Sequence, residues 1–386
     1  MDESSLLIAL LRAEVCGVAA DIENAPSKEC LEKLYPLAAR HDLAHIAGQA
    51  LSKLGLLGQD EASNKLKNAA MQAICRYVQL EYELGQACAV LEQAQIPFIP
   101  LKGSVLRSFY PEPWMRTSCD IDILVREEDL DRAVAFLKEK LHYHGNGKSD
   151  HDVFLRSPGG TALELHYDTV QERYAGNATR NVLARVWEDA APVGKSSWHM
   201  AMSDAMFYFY HMAHMAKHFE VGGCGIRSFL DIWIMNRKME FNKETRDALL
   251  REGGLLKFAQ AAEKLAEAWF SGAPMDEKTH WLDRYILRGD LYGGEENRAA
   301  LGQAKAGGKL RYVFLRRVFM PYKYLKAEHP VLEKHKWLTP VYQVIRWFSV
   351  LRRGDVGRRV RELQTNAAVS GKDTASAAEL LKYLGL

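Results

Sequence analysis

Apolar residues recur every three or four positions along the first quarter of the chain. A series of them follows these spacings between residues 61 and 91, and the segment from residue 28 to 54 is similar. This period places apolar side chains on one helix face, so the pattern predicts a helical region over residues 1–93. His41 and His45 lie one helical turn apart there, and we interpret them as packing residues on one helix face.

Between residues 96 and 167 the pattern changes to short apolar runs, some with a period of two. Pro97 and Pro100 suit the first run to an edge strand or a strand start, and Ser157-Pro158-Gly159-Gly160 is a strong turn signal. The predicted elements are a strand at 96–101, a short helix at 104–109, a strand at 120–125, an amphipathic helix at 128–141 and a hairpin with arms at 152–156 and 161–167. They predict an α/β (α+β) fold, in which a small mixed β-sheet core is flanked by helical N- and C-terminal regions.

Composition sets the broad class of the protein. The chain has 386 residues, of which 48% are hydrophobic and 26% charged, as in a soluble globular protein of two or three domains. We predict a helical N-terminal region at 1–93, the sheet core at 94–195 and a helical C-terminal region at 196–386. No apolar run is long enough to span a bilayer, and Met1-Asp2-Glu3-Ser4-Ser5 lacks the basic start of a secretion signal. Six cysteines without C-x-x-C pairing are typical of reduced thiols, so we expect a cytoplasmic protein.

Three acidic residues stand in strand patterns within the predicted core. Asp120 and Asp122 alternate with isoleucines, so a strand would place both carboxylates on one face and the isoleucines in the core. Glu164 has the same setting between two leucines. Converging carboxylates repel one another unless cations hold them together, and hard oxygen ligands suit Mg²⁺ that carries substrate phosphates. The pattern predicts a Mg²⁺ site at Asp120, Asp122 and Glu164.

A short polar turn precedes these acids. Gly103 and Ser104 enter the predicted helix at 104–109, where backbone N–H groups and the helix N-terminus favour phosphate oxygens. Lys102 has two interpretations, contact with a phosphate or pairing with one of the acids. His166 lies at the end of a predicted strand, where a lone histidine is more often a packing residue, and a substrate-facing role is the alternative.

These segments resemble a known superfamily. Leu101-Lys102-Gly103-Ser104, Arg116-Thr117-Ser118-Cys119-Asp120-Ile121-Asp122-Ile123-Leu124-Val125 and Leu163-Glu164-Leu165-His166 are similar to the polymerase-β-type nucleotidyltransferases. Within that superfamily they are most similar to the bacterial "uncharacterised nucleotidyltransferase" family, with its L-K-G turn, D-I-D strand and later acidic-L-H strand. The gap between Ser104 and Asp120 is longer than in many members of the superfamily. The nucleotide-binding residues of our hypothesis are Lys102, Gly103, Ser104 and Arg116.

A run of histidines follows in the C-terminal region. His211, His214 and His218 have spacings of three and four, which put them on one face of a helix. Arg227 and Asp231 lie four apart on the next predicted helix. One interpretation is a polar seam between two packed helices, and the other is a face that closes over the nucleotide or acceptor. Similar proteins carry a histidine-bearing helix followed by an Arg and an Asp, so the resemblance favours the second interpretation.

The C-terminal portion is strongly basic. Between Lys309 and Glu362 there are 14 Lys or Arg and 4 Asp or Glu, interleaved with aromatic residues. Such a mixture could bind nucleic acid, an anionic membrane surface or another polyanion, and the alternative is a basic helical face packed on an acidic neighbour.

The predicted metal and phosphate site, together with the resemblance, implies a Mg²⁺-dependent nucleotidyltransferase. An acceptor would attack the α-phosphorus of an NTP and release pyrophosphate, with Glu164 completing the metal site or taking the acceptor proton. The acceptor could be a small molecule, a saccharide, a protein or RNA. Two alternatives remain, a homologue that binds a nucleotide without chemistry and a toxin-like transferase that acts on tRNA or protein.

Overall fold

Helices surround a small β-sheet in the computed structural model, which describes residues 2–19, 22, 25–169, 176–291, 293–305, 318–352, 357 and 364–386. The N-terminal helices are α1 (Glu3–Cys16), α2 (Lys28–Arg40), α3 (Ala44–Lys53) and α4 (Glu61–Gln93). Asp60 caps the N-terminus of α4, and its carboxylate accepts a hydrogen bond of 3.0 Å from the Ser63 N–H. This cap satisfies one of the amide groups that a helix start leaves without a partner.

The predicted helical segment from residue 28 to 54 is broken at its centre. Helix α2 ends at Arg40, just before His41, and Asp42 has a φ of 56°, in the left-handed region. The expectation that His41 and His45 share a helix face is therefore wrong, because the chain changes direction between them. Both are buried, and His45 Nε2 lies 2.8 Å from the Met115 carbonyl oxygen, as expected of packing residues.

A five-stranded mixed sheet forms the centre of the fold. Its strands are β1 (Phe98–Pro100), β2 (Asp120–Val125), β3 (His144–Lys148), β4 (Asp152–Arg156) and β5 (Ala162–His166). Their order is β1-β2-β5-β4-β3, and β2 and β5 are parallel while the other pairs are antiparallel. The proline-bearing β1 lies at an edge, as its composition predicts, because proline cannot donate to a strand ladder.

The two faces of the sheet differ in polarity. Ile121, Ile123, Leu163 and Leu165 are fully buried and pack in one hydrophobic cluster with residues of α4. Short helical segments connect the strands: α5 (Gly103–Leu106), the 3₁₀ turns Arg107–Phe109, Pro113–Met115 and Glu127–Asp129, and α6 (Leu130–Leu141). Because side chains alternate along a strand, the acidic residues of β2 and β5 lie on the face of the sheet opposite the hydrophobic cluster that includes α4.

The chain after the sheet is again mainly helical. Its elements are α7 (Asn177–Leu183), α8 (Val186–Asp189), a two-stranded ribbon of β6 (Ala191–Pro192) and β7 (Met200–Ala201), α9 (Asp204–Val221), α10 (Ile226–Lys238), α11 (Lys243–Glu252), α12 (Leu256–Ser271), α13 (Glu277–Arg288), α14 (Glu295–Lys305), α15 (Tyr322–Glu328), α16 (Val331–Lys334), the 3₁₀ turn Lys336–Leu338, α17 (Thr339–Arg352) and α18 (Gly371–Leu384). The predicted α+β class, a small mixed sheet with helical flanks, is confirmed.

One large hydrophobic cluster joins the three predicted regions. It contains Leu10 from α1, Ile99 from the sheet edge, Phe209 from α9 and Leu380 from α18. Buried side chains from all three predicted regions thus pack together. The boundaries at 94 and 196 stay predictions. Among the described residues, no helix combines the length and apolar character that crossing a membrane requires. The predicted basic region between 309 and 362 lies partly outside the described residues, at 309–317, 353–356 and 358–362.

Candidate functional site

Three carboxylates lie side by side on the polar face of the sheet. Asp122 on β2 is in register with Glu164 on the parallel strand β5, and Asp120 lies two residues before Asp122 on the same face. Residues in register on neighbouring strands have Cβ atoms about 5 Å apart. The strand alternation visible in the sequence thus brings together the three acids proposed as metal ligands.

Lys102 lies against these acids. Its Nζ donates a hydrogen bond of 2.6 Å to Asp122 Oδ1 and lies 4.0 Å from Glu164 Oε2. Burial acts to lower the pKa of Lys102, but the negative charge of Asp122 outweighs it and the pKa is raised. Lys102 is thus paired with an acid in this structure, and its charge partly neutralises the cluster. Its contact with a phosphate stays a prediction.

The backbone at Lys102 is strained. Its φ of 48° and ψ of −119° belong to the first central position of a tight turn that usually holds glycine. The Ser104 N–H closes this turn on the Leu101 carbonyl at 3.1 Å. A non-glycine residue in such a conformation costs about 1–3 kcal/mol, a cost that concentrates at functional sites. The turn holds the Lys102 side chain beside Asp122.

The other two residues of the turn have different environments. The backbone N–H of Ser104 is used within the turn, whereas its hydroxyl oxygen is buried and has no hydrogen-bond partner in the described chain. A Cβ on Gly103 would lie 3.1 Å from Ser118 Cβ, so glycine permits close packing there. Arg107, which the sequence analysis missed, bonds the Gly103 carbonyl at 2.9 Å and Ser118 Oγ at 3.0 Å. It ties the turn to the segment before β2.

The pKa values of the two aspartates are pushed apart. Burial acts to raise the pKa of Asp122, but Lys102 and the hydrogen bond from His166 hold it below its usual value. Burial and the negative charge of Asp122 raise the pKa of Asp120 to about 6. Two neighbouring carboxyl groups with separated pKa values are typical of catalytic sites. The positive charges near Asp120 do not offset the effects of its burial and of the negative charge on Asp122.

His166 belongs to the same cluster. Its Nε2 lies 2.8 Å from Asp122 Oδ1 and 3.5 Å from Glu164 Oε2. Burial acts to lower the pKa of His166, but the bonds to Asp122 and Glu164 raise it. One ligand atom from each of Asp122, Glu164 and His166 lies within 4.8 Å of the others, a grouping that could hold a metal ion.

Helix α9 contributes side chains to this cluster. Ser203 caps its N-terminus, with a hydroxyl that accepts a hydrogen bond from the Met206 N–H. Tyr210 is buried and interacts electrostatically with Lys102, Asp122 and Glu164, and its hydroxyl has no hydrogen-bond partner among the residues that the structure describes. Burial raises the pKa of Tyr210 above its usual value. The sequence analysis missed this residue because it stands in an aromatic run, and its four-residue spacing from His214 was the available signal.

Two of the predicted histidines, His214 and His218, lie one turn apart on the same face of α9. His214 Nε2 is 3.3 Å from His218 Nε2. Burial lowers the pKa of both, to about 4 for His218, and the positive charge of Lys102 contributes at each. Both imidazoles are therefore neutral at physiological pH, and the electrostatic influence of Lys102 connects them with the carboxylate cluster.

Arg116 and Asp231 form a separate buried network. Arg116 Nε donates to Asp231 Oδ1 at 2.7 Å, and Tyr110 donates its hydroxyl to the same oxygen at 2.7 Å. The pKa of His211 is lowered to about 4 by burial, which outweighs the attraction of Asp231. Within the described chain, the hydrogen bonds of Arg116 go to Asp231 and the Thr117 carbonyl. The structure thus does not bring Arg116, His211 or Asp231 to the acids through hydrogen bonds, and here the polar-seam interpretation fits.

Arg227 lies between this network and the acids. It donates hydrogen bonds to Asp42 and, at 3.2 Å, to the Thr117 carbonyl. Its positive charge also acts to lower the pKa of Asp120. Arg227 therefore connects the α2–α3 junction, the segment before β2 and the carboxylate cluster.

Comparison with known proteins identifies one family. No curated protein and no solved structure matches the chain. The model of the family described as "Uncharacterised nucleotidyltransferase" matches residues 27–271, which include the turn, the sheet, the carboxylates and helices α9 and α10. Because this match covers more than half of the sequence, the chain belongs to the uncharacterised nucleotidyltransferase family.

Proposed function

We propose that the protein transfers a nucleoside monophosphate from an NTP to an acceptor and releases pyrophosphate. The family supports nucleotidyl transfer in general terms. The observation that carries the proposal is the register of β2 and β5, because it sets Asp122 beside Glu164 with Asp120 on the same face. Carboxylates in this arrangement suit a cation-assisted displacement at phosphorus.

The donor set fits Mg²⁺. Three carboxylates face one ammonium group, and burial together with the negative charge of Asp122 raises the pKa of Asp120 to about 6 despite the opposing charge of Lys102. Asp120, Asp122 and Glu164 would hold the ion through hard oxygen atoms, as Mg²⁺ prefers. When bound, Mg²⁺ supplies charge neutralisation at the phosphate oxygens.

The remaining polar groups suit the triphosphate and the acceptor. Lys102 and the Tyr210 hydroxyl are donors near the carboxylates, and the Ser104 hydroxyl is a further buried donor two residues after Lys102. Neither hydroxyl has a hydrogen-bond partner within the described ranges. These donors would orient phosphate oxygens. The Glu164 side chain is 31% exposed, against 4% for Asp122, so Glu164 is the acid that an acceptor entering from solvent would meet. Glu164 would either complete the metal site or take the acceptor proton.

The direct test is transfer of label from the α-phosphate. The purified protein is incubated with Mg²⁺, a cell extract and each α-labelled NTP in turn, and the labelled species is identified by its mass. We expect one class of small molecule, saccharide, protein or RNA to acquire a nucleoside monophosphate. Nucleotide binding without any labelled product would instead support the binding-only alternative.

Tyr210→Phe is expected to stabilise the free protein and weaken its affinity for NTP. A buried hydroxyl without a partner costs about 1–3 kcal/mol, so its removal raises the melting temperature, while loss of a donor to phosphate raises KM for NTP about tenfold. Melting curves and transfer kinetics check both effects.

Tyr208→Phe is the matched control on the same helix. The Tyr208 hydroxyl donates to Glu263, so this change is expected to lower the melting temperature and leave KM unchanged. If Tyr210→Phe behaves in the same way as Tyr208→Phe, the Tyr210 hydroxyl does not contact the nucleotide.

A further inference from the structure

A second cluster of ligand-type side chains adjoins the carboxylates. Asp152 on β4 is in register with His166 on β5, and His151 immediately precedes β4. One ring nitrogen from each histidine and one carboxylate oxygen of Asp152 lie within 4.8 Å of one another. The two imidazole rings meet edge to face, with centroids 5.5 Å apart.

One nitrogen of each imidazole ring, His166 Nε2 and His151 Nδ1, has a polar partner outside this second cluster. His166 Nε2 lies 2.8 Å from Asp122 Oδ1, and His151 Nδ1 lies 2.8 Å from Ser149 Oγ and 3.2 Å from Asp150 Oδ1. Metal-binding histidines almost always have such a partner on the ring nitrogen that does not bind the metal, because it fixes the tautomer and the ring orientation.

A metal ion would bind the other nitrogen of each ring, which is His151 Nε2, paired with Asp152 in the metal-free protein, and His166 Nδ1. His151 Nε2 lies 3.0 Å from Asp152 Oδ2, close to the edge of about 3.3 Å that follows from tetrahedral bonds of about 2.0–2.1 Å. His166 is 2% exposed, and its Nδ1 has no hydrogen-bond partner among the described residues. A buried polar atom left without a partner costs about 1–3 kcal/mol, and a bound ion would remove that cost.

We infer that His151, Asp152 and His166 bind a divalent transition-metal ion such as Zn²⁺, at a site separate from the proposed Mg²⁺ site. Two imidazole nitrogens and one carboxylate oxygen suit Zn²⁺ or Co²⁺, whereas Mg²⁺ prefers oxygen ligands only. Three protein ligands leave further coordination positions to solvent or substrate. This inference does not depend on the proposed function, because it rests on a different set of ligands.

The site has a consequence for the carboxylate cluster. An ion bound at His166 Nδ1 would keep the proton on Nε2, which faces Asp122, as in the carboxylate–histidine–metal arrangement of known metal sites. Lys217 on α9 also interacts electrostatically with Asp150, Asp152 and Glu164, so its charge acts on both clusters. His166 belongs to both groups of ligand-type residues, so its side chain links the two sites directly.

Metal binding can be measured without any enzymatic assay. The full-length protein, without a histidine tag and freed of metal by a chelator, is titrated with Co²⁺ and, in separate dialysis, with Zn²⁺ in excess Mg²⁺. We expect the visible absorption of protein-bound Co²⁺, and about one Zn²⁺ retained per chain at a three-ligand site. His151→Ala and the isosteric Asp152→Asn should each weaken binding at least about tenfold.

Matched variants separate this site from other ligands. His144→Ala removes an exposed histidine of β3, and Cys75→Ser with Cys119→Ser removes the two exposed thiols; each should retain full Zn²⁺ binding. Asp120→Asn should also retain it, so failure of nucleotidyl transfer and failure of this site are distinguishable. The inference is overturned if the wild type retains no Zn²⁺, or if folded His151→Ala and Asp152→Asn retain as much as the wild type.

Discussion

Asp120→Asn is expected to abolish nucleotidyl transfer and, at the same time, to raise the melting temperature of the metal-free protein near pH 8. The change keeps the shape of the side chain and removes its charge. Loss of one proposed Mg²⁺ ligand should slow transfer at least about a thousandfold, equivalent to about 4 kcal/mol of transition-state stabilisation. The substitution is thus expected to raise the stability of the metal-free protein and to lower the rate of transfer.

The stability gain follows from the raised pKa of Asp120. Burial and Asp122 move that pKa from 3.8 to about 6, so the folded state binds this proton more tightly than the unfolded state does. The free energy of unfolding therefore falls as the pH rises from about 4 to about 6 and stays reduced above that range. After allowance for solvent screening, the penalty is about 1–2 kcal/mol, and Asn does not incur it.

Melting curves with chelator at pH 8 and pH 4.5 test the gain. The variant should melt above the wild type at pH 8, and the difference should shrink at pH 4.5. Mg²⁺ should stabilise the wild type and not the variant, since a ligand stabilises only the state that binds it. Asp131→Asn, at an exposed position of α6, is the control and should change stability by less than about 1 kcal/mol. Wild-type transfer by Asp120→Asn would refute the assignment of this residue.

The sequence predicts the sheet and its acids well because two strong physical signals coincide there. In β2 the isoleucines alternate with Asp120 and Asp122, and only a strand with one buried face satisfies both residue types. The prolines of β1 exclude a central position in the ladder, and the structure has this strand at the edge. Local patterns of this kind do not depend on distant contacts, so one sequence suffices to interpret them.

Features that depend on distant contacts were not predictable. Strand β3, His144–Lys148, contains two glycines and lacks an apolar pattern, so its pairing with β4 is what makes it a strand. Nothing local shows that Lys102 adopts a turn conformation typical of glycine. Tyr210 resembles its aromatic neighbours in sequence, and only the packing of α9 brings its hydroxyl near the acids.

Arg116 illustrates the same limit at a single residue. The resemblance to known nucleotidyltransferases drew attention to the segment before β2, and we placed Arg116 among the nucleotide-binding residues. In the structure its partner is Asp231, which lies 115 positions along the chain on α10. A contact at that separation leaves no periodic signal, although Asp231 itself stood out through its spacing from Arg227.

Replacement of Arg116 by methionine is therefore expected to destabilise the fold rather than to act first on nucleotide affinity. Arg116 and Asp231 are almost fully buried, with side chains 8% and 0% exposed. Removal of one partner leaves Asp231 as a buried charge without its counter-ion, which costs about 3–5 kcal/mol. Urea unfolding should report this loss as a lower midpoint, and the denaturant slope should not change.

A second substitution distinguishes the ion pair from a general packing effect. Arg116→Met combined with Asp231→Leu removes both charges, so the double variant should be more stable than Arg116→Met alone. Arg185→Met is the surface control, because Arg185 and Glu252 pair at 2.8 Å with side chains 42% and 49% exposed, and such pairs contribute less than about 1 kcal/mol. The prediction is contradicted if Arg116→Met unfolds at the wild-type urea midpoint and raises KM for NTP. Arg116 would then contact the nucleotide, and its ion pair with Asp231 would not be needed for stability.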